Sequence, residues 1–145
     1  MPNQSRIAER HRRTRRDHES ETAEDYVEAV AAISEDLGRC RVVDLARRFA
    51  VSHVTVTRTI ARLSEAGLMT SERYGPVELT AKGRRLAALS KRRHHVVYEF
   101  LKAIGVSPSV AAIDAEGIEH HVSRVTLRRF QAVTEMLARD GRITS

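Results

Sequence analysis

The sequence is poor in several residue types, and each scarcity excludes a class of protein. Cys40 is the only cysteine in 145 residues, so the chain can form neither an intramolecular disulfide nor a thiolate zinc site. Tryptophan is absent and aromatic residues make up 4%, so small aliphatic side chains must fill the core, which favours packed helices. The chain has no apolar run that could cross a bilayer and no secretory signal at its N-terminus. We therefore expect a cytoplasmic protein without a membrane partner.

Motifs for catalysis are missing as well. The sequence contains no nucleophile constellation, no glycine-rich phosphate-binding loop and no recognisable cofactor motif. We therefore expect a protein that is not an enzyme and has no organic small-molecule substrate.

Positive charge, in contrast, is abundant and comes mostly from arginine. The formal net charge of +6 at pH 7 indicates a polyanionic partner, with nucleic acid ahead of an anionic membrane. Residues 1–20 are almost free of apolar side chains, so they are predicted to form a mobile arm. Such an arm either follows the DNA backbone or minor groove, or is only a solvated tail. Its arginines are Arg6, Arg10, Arg12, Arg13, Arg15 and Arg16.

Apolar periodicity divides the rest of the chain into helices and one hairpin. Thr22 and Asp25 resemble a capping box at the start of helix one, and Gly38 follows its end. Ser52, Ser107 and Ser123 are suitable N-caps for helices three, five and six, and Pro108 fits the first turn of helix five. Tyr74-Gly75-Pro76 is typical of a hairpin turn. The predicted elements are helices at residues 22–37, 42–50, 53–66, 81–103, from 108 and from 123, with a hairpin at 68–79.

Three helices and a hairpin within residues 22–80 have the order of a winged helix-turn-helix. Val56 and Ile60 are predicted to face the core from helix three, which would be the recognition helix in the major groove. Arg58 is the best candidate for a guanine contact, while Arg62 and Arg73 suit phosphate. For each side chain the alternative is a solvated surface residue. The complete set of DNA-binding candidates is Arg41, Arg47, Ser52, His53, Thr55, Thr57, Arg58, Arg62 and Arg73.

Groups of metal-ligand side chains recur along the predicted helices. Asp25 and Glu28 are spaced i, i+3 on helix one, although acids are also favoured in a first turn by the helix dipole. Glu116, Glu119 and His120 are spaced i, i+3 and i+4 on helix five. Carboxylates with imidazole and without thiolate suit Mn²⁺ or Fe²⁺, and Zn²⁺ is not excluded. His94 taken alone would be an ordinary helical histidine.

Taken together, these motifs closely resemble the MntR branch of the DtxR family. The resemblance covers residues 21–140 and includes the winged helix, His94 and the segments Asp25-Tyr26-Val27-Glu28 and Glu116-Gly117-Ile118-Glu119-His120-His121. It implies a bacterial, homodimeric, manganese-responsive repressor of manganese-uptake genes that can hold two neighbouring metal ions per subunit. The metal ligands that it implies are Asp25, Glu28, His94, Glu116, Glu119 and His120.

Glu119 bears on the choice of metal within this resemblance. Iron-sensing relatives place a sulfur-containing residue at the matching position, whereas the manganese branch places glutamate. A hard carboxylate in place of a soft sulfur lowers the advantage of iron and of later transition metals. The resemblance thus favours Mn²⁺, with Fe²⁺, Zn²⁺ or another divalent ion as substitutes.

The expected architecture is mainly α with a small β-hairpin wing. Its predicted parts are an arm at 1–20, a winged helix at 21–80 and a helical metal-binding and dimerisation domain at 81–142. We expect metal to fix the geometry of a dimer on palindromic double-stranded DNA, whose half-sites lie about 34 Å apart. The predicted dimer contacts are Val110, Ile118, Val122, Val125 and Phe130.

Two rival hypotheses remain at this point. A winged-helix regulator could respond to iron. It could also respond to a small organic effector, with the acids and histidines only structural. A di-metal carboxylate enzyme would need a Glu-x-x-His pair on each of two helices, and only one helix here is rich enough in ligands.

Overall fold

A computed structural model describes residues 3–141, which form six helices and one antiparallel pair of strands. This confirms the predicted mainly helical class with a single hairpin. The chain divides into two compact units, Met1–Leu89 and Ser90–Ser145, and the division falls within α4. The elements are α1 (Asn3–Leu37), α2 (Val42–Phe49), α3 (His53–Glu65), β1 (Met69–Ser71), β2 (Val77–Leu79), α4 (Ala81–Ala103), α5 (Pro108–Ile118) and α6 (Arg124–Arg139).

The first helix begins much earlier than the sequence predicted. Residues 3–20, expected to be an arm without regular structure, form the first five turns of α1, and residues 1–2 lie outside the described part. Thr22 does not cap a helix, because its hydroxyl donates to the carbonyl of His18 at 2.8 Å inside the continuous α1. The segment from residue 3 to residue 37 contains neither proline nor glycine. The packed residues from Glu24 to Ile33 already hold α1 in helical form, and extension toward the N-terminus adds backbone hydrogen bonds without a new nucleation step.

The core of the first unit is built around the second half of α1. Tyr26, Val27, Val30 and Ile33 are buried at the spacing of one helical face. They pack with residues of α2, α3 and the hairpin, including Leu45, which is fully buried. These residues form the inward face of α1, whereas Leu37, near the end of the helix, is exposed.

A helix-turn-helix follows, as predicted. Ala50 takes the left-handed conformation at the turn, with φ 53°, and the N–H of Val51 donates to the carbonyl of Ala46 at 3.1 Å. The Ser52 hydroxyl accepts from the N–H of Thr55, which confirms Ser52 as the N-cap of α3. Val56 and Ile60 are buried, so the inward face of α3 is also the one that the sequence predicted.

The hairpin pairs β1 with β2 in antiparallel register, with Met69 opposite Leu79 and Ser71 opposite Val77. The N–H of Val77 donates to the carbonyl of Cys40 at 2.7 Å, which ties β2 to the segment after α1. Tyr74 lies in the turn with φ 64°. The predicted hairpin is therefore confirmed, and its tip projects polar and aromatic side chains.

The second unit has its own small core on α4 and α5. Val97, Leu101, Ala111 and Ala115 are buried, and partly buried residues of α6 pack against them. Phe100 and Phe130 stack with their ring centroids 4.0 Å apart. Ser107 and Ser123 cap α5 and α6 as predicted, and Pro108 occupies the first turn of α5.

Several large apolar side chains of this unit remain exposed in the single chain. They are Ile104, Val110, Ile113, Val125 and Met136. Of the residues predicted for the dimer contact, Val110 and Val125 are among them, whereas Ile118, Val122 and Phe130 pack partly against the unit's own core. None of the helices in residues 3–141 combines the length and apolar character that a membrane-spanning helix requires.

Candidate metal centre and nucleic-acid interface

A buried carboxylate is the central feature of the second unit. The side chain of Glu119 is 2% exposed. One of its oxygens lies 2.9 Å from Nδ1 of His94, and the other lies 3.5 Å from Nε2 of His120. Burial of a carboxylate costs free energy unless cationic or polar groups surround it. A buried carboxylate between two imidazoles therefore indicates a functional site and not hydrophobic packing.

The end of α5 explains how these side chains come together. The sequence analysis placed Glu116, Glu119 and His120 on one helical face, but α5 ends at Ile118. Glu119 is the C-cap residue, still with helical φ and ψ angles, and His120 lies in the turn that follows. The turn carries the His120 side chain, which is 3% exposed, into the interior. That departure from the helix depends on tertiary packing, which helical spacing cannot reveal.

Glu116 lies at the edge of the same cluster. One of its oxygens is 4.0 Å from Nδ1 of His94, and its side chain is 68% exposed. The structure thus brings four of the six predicted ligands into one neighbourhood: His94, Glu116, Glu119 and His120. A set of carboxylate oxygens and imidazole nitrogens fits a divalent transition ion of the Mn²⁺ or Fe²⁺ type.

The positions of these donors do not amount to a complete metal site. Among residues 3–141, no group of three or more histidine, cysteine, aspartate or glutamate side chains has the arrangement that holds a metal ion. The pairwise distances nevertheless fit the chemistry, because an ion could replace the nitrogen–oxygen contacts that Glu119 makes with two imidazoles.

Asp25 and Glu28, the remaining two predicted ligands, belong to the first unit. Both are half-buried, and they lie more than twenty residues from the start of α1. The alternative explanation from the sequence, that these acids stabilise the first turn through the helix dipole, therefore does not apply. The dipole acts only within the terminal turn of a helix.

The predicted recognition surface is present on the outer face of α3. His53, Thr55, Thr57 and Arg58 are exposed along its first half, and Arg62 is exposed one turn further. The Thr57 hydroxyl donates to the carbonyl of His53 at 2.8 Å, so only its lone pairs and methyl group are available to a partner. Ser52 is occupied as the cap, although its hydroxyl is still exposed.

The basic candidates outside α3 are exposed too. Arg41 precedes α2, where its backbone N–H donates to the Asp44 carboxylate at 2.9 Å, and its side chain is left for other contacts. Arg47 is exposed on α2. In the hairpin, the Arg73 guanidinium lies 5.4 Å from the ring centroid of Tyr74. The arrangement of α3 and the hairpin is that of a nucleic-acid interface.

The sequence analysis missed two exposed side chains on this surface. Val54, 59% exposed near the start of α3, offers an apolar contact of the kind that reads a thymine methyl group. The sequence could have revealed the exposure of Val54, because Val56, Ile60 and Leu63 form the inward face of α3 and Val54 lies outside it. Tyr74 is 90% exposed in the hairpin turn, where the sequence had placed it without assigning it a contact.

The single cysteine takes no part in either surface. Cys40 is fully buried in the core of the first unit. Burial, with a smaller contribution from the nearby Asp44 carboxylate, raises the pKa of its thiol from 9.0 to about 11. The thiol is therefore protonated near neutral pH and is a structural residue, not a metal ligand.

Two family models match the chain, one in each half. Residues 18–77 match the family model described as the iron dependent repressor N-terminal DNA binding domain. Residues 80–144 match the model described as the iron dependent repressor metal binding and dimerisation domain. A winged helix joined to a metal-binding and dimerisation domain defines a class of metal-dependent transcriptional regulators.

Individual relatives show which branch of this class the chain belongs to. The transcriptional regulator MntR of Escherichia coli O157:H7 is 41% identical over 135 residues, which are 93% of this chain and 87% of that protein. The HTH-type transcriptional regulator MntR of Bacillus subtilis (strain 168) is 32% identical over 117 residues, 81% of this chain and 82% of that protein. The chain belongs to the DtxR family of iron-dependent repressors as a member of the MntR type.

A solved structure supports the fold assignment. The structure described as a manganese-dependent transcriptional repressor in complex with manganese aligns with a TM-score of 0.70 and 32% identity. The alignment covers 78% of this chain and 52% of that one, so the chain spans about half the length of that repressor.

Proposed function

We propose that the protein is a manganese-responsive, DNA-binding transcriptional repressor that acts as a homodimer on a palindromic operator. The observation that carries this proposal is the buried Glu119 carboxylate, which contacts the imidazoles of His94 and His120 in a chain that also presents an exposed recognition helix. The names of the MntR relatives and of the manganese-dependent repressor structure support the choice of metal.

The proposed metal ligands in the second unit are His94, Glu116, Glu119 and His120. Mn²⁺ would supply positive charge that compensates the carboxylates. Glu119 and His120 provide buried donors, and Glu116 provides an exposed one. Neutral imidazole and ionised carboxylate are the forms that ligate.

Asp25 and Glu28 complete the proposed set on the strength of the family resemblance. We propose them as ligands that make metal binding depend on α1, the helix that forms the core of the DNA-binding unit. A second ion per subunit is proposed on the same basis. Fe²⁺ and Zn²⁺ are the competitors, because a nitrogen and oxygen donor set binds them too.

The DNA-binding half of the proposal assigns different roles to the exposed residues. Arg58 and Val54 on α3 read base edges, the first by hydrogen bonds to guanine and the second by contact with a thymine methyl group. Arg62 on α3 and Arg73 in the hairpin bind phosphate and fix the register. Supporting phosphate contacts come from Arg41 and Arg47, with polar contacts from Ser52, His53, Thr55 and Thr57.

Metal and DNA are proposed to bind with positive coupling. Without metal, the acids of the ligand set repel one another, and the chain is free to adopt geometries that do not fit two half-sites one helical turn apart. By linkage, DNA must then raise the affinity for Mn²⁺ by the same factor by which Mn²⁺ raises the affinity for DNA.

The metal site is tested by calorimetric titration of chelator-treated protein with Mn²⁺. The wild type is expected to give a saturable isotherm whose stoichiometry counts the ions per subunit. The double variant Glu116→Ala, His120→Ala and the isosteric Glu119→Gln are expected to lose it. His95→Ala is the matched control, because His95 is exposed beside His94 and is not a proposed ligand.

Each outcome of the titration has a definite meaning once circular dichroism shows that the variants are folded. Absence of binding by the wild type, or equal loss in the His95→Ala protein, would contradict the proposed site. A separate pair, Asp25→Asn with Glu28→Gln, is expected to weaken binding; unchanged binding by that pair would remove α1 from the ligand set. Activation of DNA binding by Fe²⁺ but not by Mn²⁺ would contradict the metal assignment, whereas a higher affinity for Fe²⁺ alone is expected of such a donor set.

The DNA site is tested by selecting bound sequences from a random duplex library with and without Mn²⁺. The expected result is a palindrome that the protein enriches only with Mn²⁺. The Arg58→Ala variant is expected to lose about 1–3 kcal/mol of discrimination at one base position of each half-site. Equal enrichment with and without Mn²⁺ would refute the metal response.

A further inference from the structure

Residues 3–20 of α1, called here the basic arm, have no role in the functions assigned so far. Every side chain from Gln4 to Ser20 is exposed. Residues 6–16 contain six arginines and one glutamate, a net charge of +5, in a chain whose total is +6. The arm is therefore a concentrated cationic surface that contributes nothing to the core.

Residues 3–17 of the basic arm lie outside the matched DNA-binding domain. The model of the DNA-binding domain matches from residue 18 onward, whereas the arginines run from Arg6 to Arg16. The buried part of α1 begins with Glu24 and Tyr26. Neither the packing of α1 nor the match to the DNA-binding domain thus accounts for the charge.

The helix arranges part of this charge in a row. Arg6, Arg10 and Arg13 are spaced i, i+4 and i+7, so they project from one face over about 10 Å of helix. One strand of B-DNA carries a phosphate about every 3.4 Å along its axis, so such a row can meet several phosphates. Arginine suits this partner, because its planar guanidinium binds phosphate through two parallel hydrogen bonds.

The attachment of the arm places its start near the DNA-binding elements. Tyr26 of α1 stacks on Phe49 with ring centroids 4.5 Å apart. Phe49 is the last residue of α2, and Ala50 to Ser52 form the turn that leads into α3. The basic arm therefore leaves the core beside the turn of the helix-turn-helix and extends about 27 Å as a helix.

The composition of the arm distinguishes between polyanionic partners. A helix that lies on an anionic membrane needs a continuous apolar face. Ile7 is the one large aliphatic residue from residue 3 to residue 20, so the arm has no such face. A highly charged duplex, which requires only cationic contacts, fits it better.

We propose that the basic arm binds the phosphate backbone of duplex DNA through Arg6, Arg10 and Arg13, flanking the segment read by α3. This inference rests on the proposed DNA-binding function and extends it. The arm adds affinity that does not depend on sequence, so it raises specific and nonspecific binding alike.

The test measures binding of the full-length protein to a fluorescein-labelled 40-base-pair duplex of mixed sequence at several salt concentrations. The arm variant carries Arg6→Gln, Arg10→Gln and Arg13→Gln, which remove charge and keep a residue of good helix propensity. The control variant carries Arg124→Gln, Arg128→Gln and Arg129→Gln on α6, three exposed arginines whose loss changes the net charge equally.

The expected result is a smaller salt dependence for the arm variant alone. The slope of log K against log salt should fall by about 0.9 for each phosphate that the variant no longer neutralises, and affinity near 0.15 M salt should fall about tenfold. An unchanged slope, or an equal fall in the control variant, would overturn the proposal. Arm-dependent binding to phosphatidylglycerol vesicles with unchanged DNA binding would overturn it as well.

The experiment distinguishes failure of the basic-arm proposal from failure of the proposed DNA-binding function. If the wild type binds no duplex at any salt concentration, with or without Mn²⁺, DNA binding itself is refuted and the arm proposal falls with it. If the wild type binds and the arm variant binds with the same slope, only the arm proposal fails.

Discussion

At the residue scale, single side chains at unusual backbone positions or in unusual surroundings determine local stability. Ala50 occupies a left-handed conformation at the turn between α2 and α3, where glycine has no steric cost. Cys40 is buried with a raised thiol pKa. Both residues affect how stable the first unit is, and neither is a candidate for binding.

Replacement of Ala50 by glycine is expected to stabilise the protein. A residue other than glycine costs about 1–2 kcal/mol of stability in the left-handed region. Glycine removes this cost, but its greater freedom in the unfolded chain offsets about half of the gain. We expect thermal denaturation of Ala50→Gly to show a midpoint a few degrees higher. The control Ala88→Gly, on the exposed side of α4, should lower it, since Ala88 is helical. A lower midpoint for Ala50→Gly would contradict the strain argument.

Cys40 makes stability sensitive to alkaline pH. Its pKa is raised in the folded protein, so the fold favours the protonated thiol. The resulting stabilisation is complete below about pH 9 and is lost as the pH rises toward about 11. Urea denaturation across this range should show an unfolding free energy that falls more steeply for the wild type than for Cys40→Ala, which cannot titrate there. Parallel curves for the two proteins would refute the assignment.

At the scale of elements, close approaches decide which residues are tolerated. Gly83 in the first turn of α4 lies against the backbone of Leu68, whose carbonyl accepts from the N–H of Thr80 at 3.1 Å. A Cβ at position 83 would fall on that carbonyl oxygen. Gly117 in α5, in contrast, has open space around the position of a Cβ. The same substitution must therefore have opposite effects at the two positions.

The Gly83→Ala variant is expected to lose about 2 kcal/mol or more of stability, because the backbone of α4 or of Leu68 must move. The Gly117→Ala variant is expected to gain up to about 1 kcal/mol from helix propensity. Chemical denaturation of both variants measures these changes. Similar values at the two positions would show that the contact between α4 and Leu68 does not constrain the fold.

At the scale of the whole molecule, assembly follows from apolar surface that one chain leaves exposed. Ile113 and Val125 of the second unit are 74% and 67% exposed, and this unit matches a metal binding and dimerisation domain. Covering these residues in a homodimer would bring two winged helices into one molecule. Specific binding to a palindrome requires such a pair.

The Val125→Glu variant is expected to shift the protein from dimer to monomer, because a charged group would be buried at the contact. Sedimentation velocity over a range of protein concentrations measures the shift. Leu37→Glu is the matched control: Leu37 is equally exposed at the end of α1, in the other unit. If Leu37→Glu dissociates the dimer and Val125→Glu does not, the contact lies elsewhere.

The sequence by itself determined most of the fold. The apolar spacing, the helix stop at Gly38 and the N-cap residues Ser52, Ser107 and Ser123 all depend on local chemistry. They therefore predicted the helix-turn-helix, the hairpin and α4 to α6 correctly. The start of α1 was wrong, because a charged helix without an apolar face has no periodic signal to distinguish it from a mobile arm. The metal ligand set still rests on the resemblance, which selected six residues from 145.

Only the tertiary structure decided which of these residues meet. The turn after Ile118 buries His120 beside Glu119, and packing of α4 on α5 brings His94 within 2.9 Å of the same carboxylate. Spacing along one helix cannot encode contacts between elements. The structure also decided that Asp25 and Glu28 lie in the interior of a 35-residue helix, where the dipole no longer explains them, because the charged start of α1 has no periodic signal in the sequence.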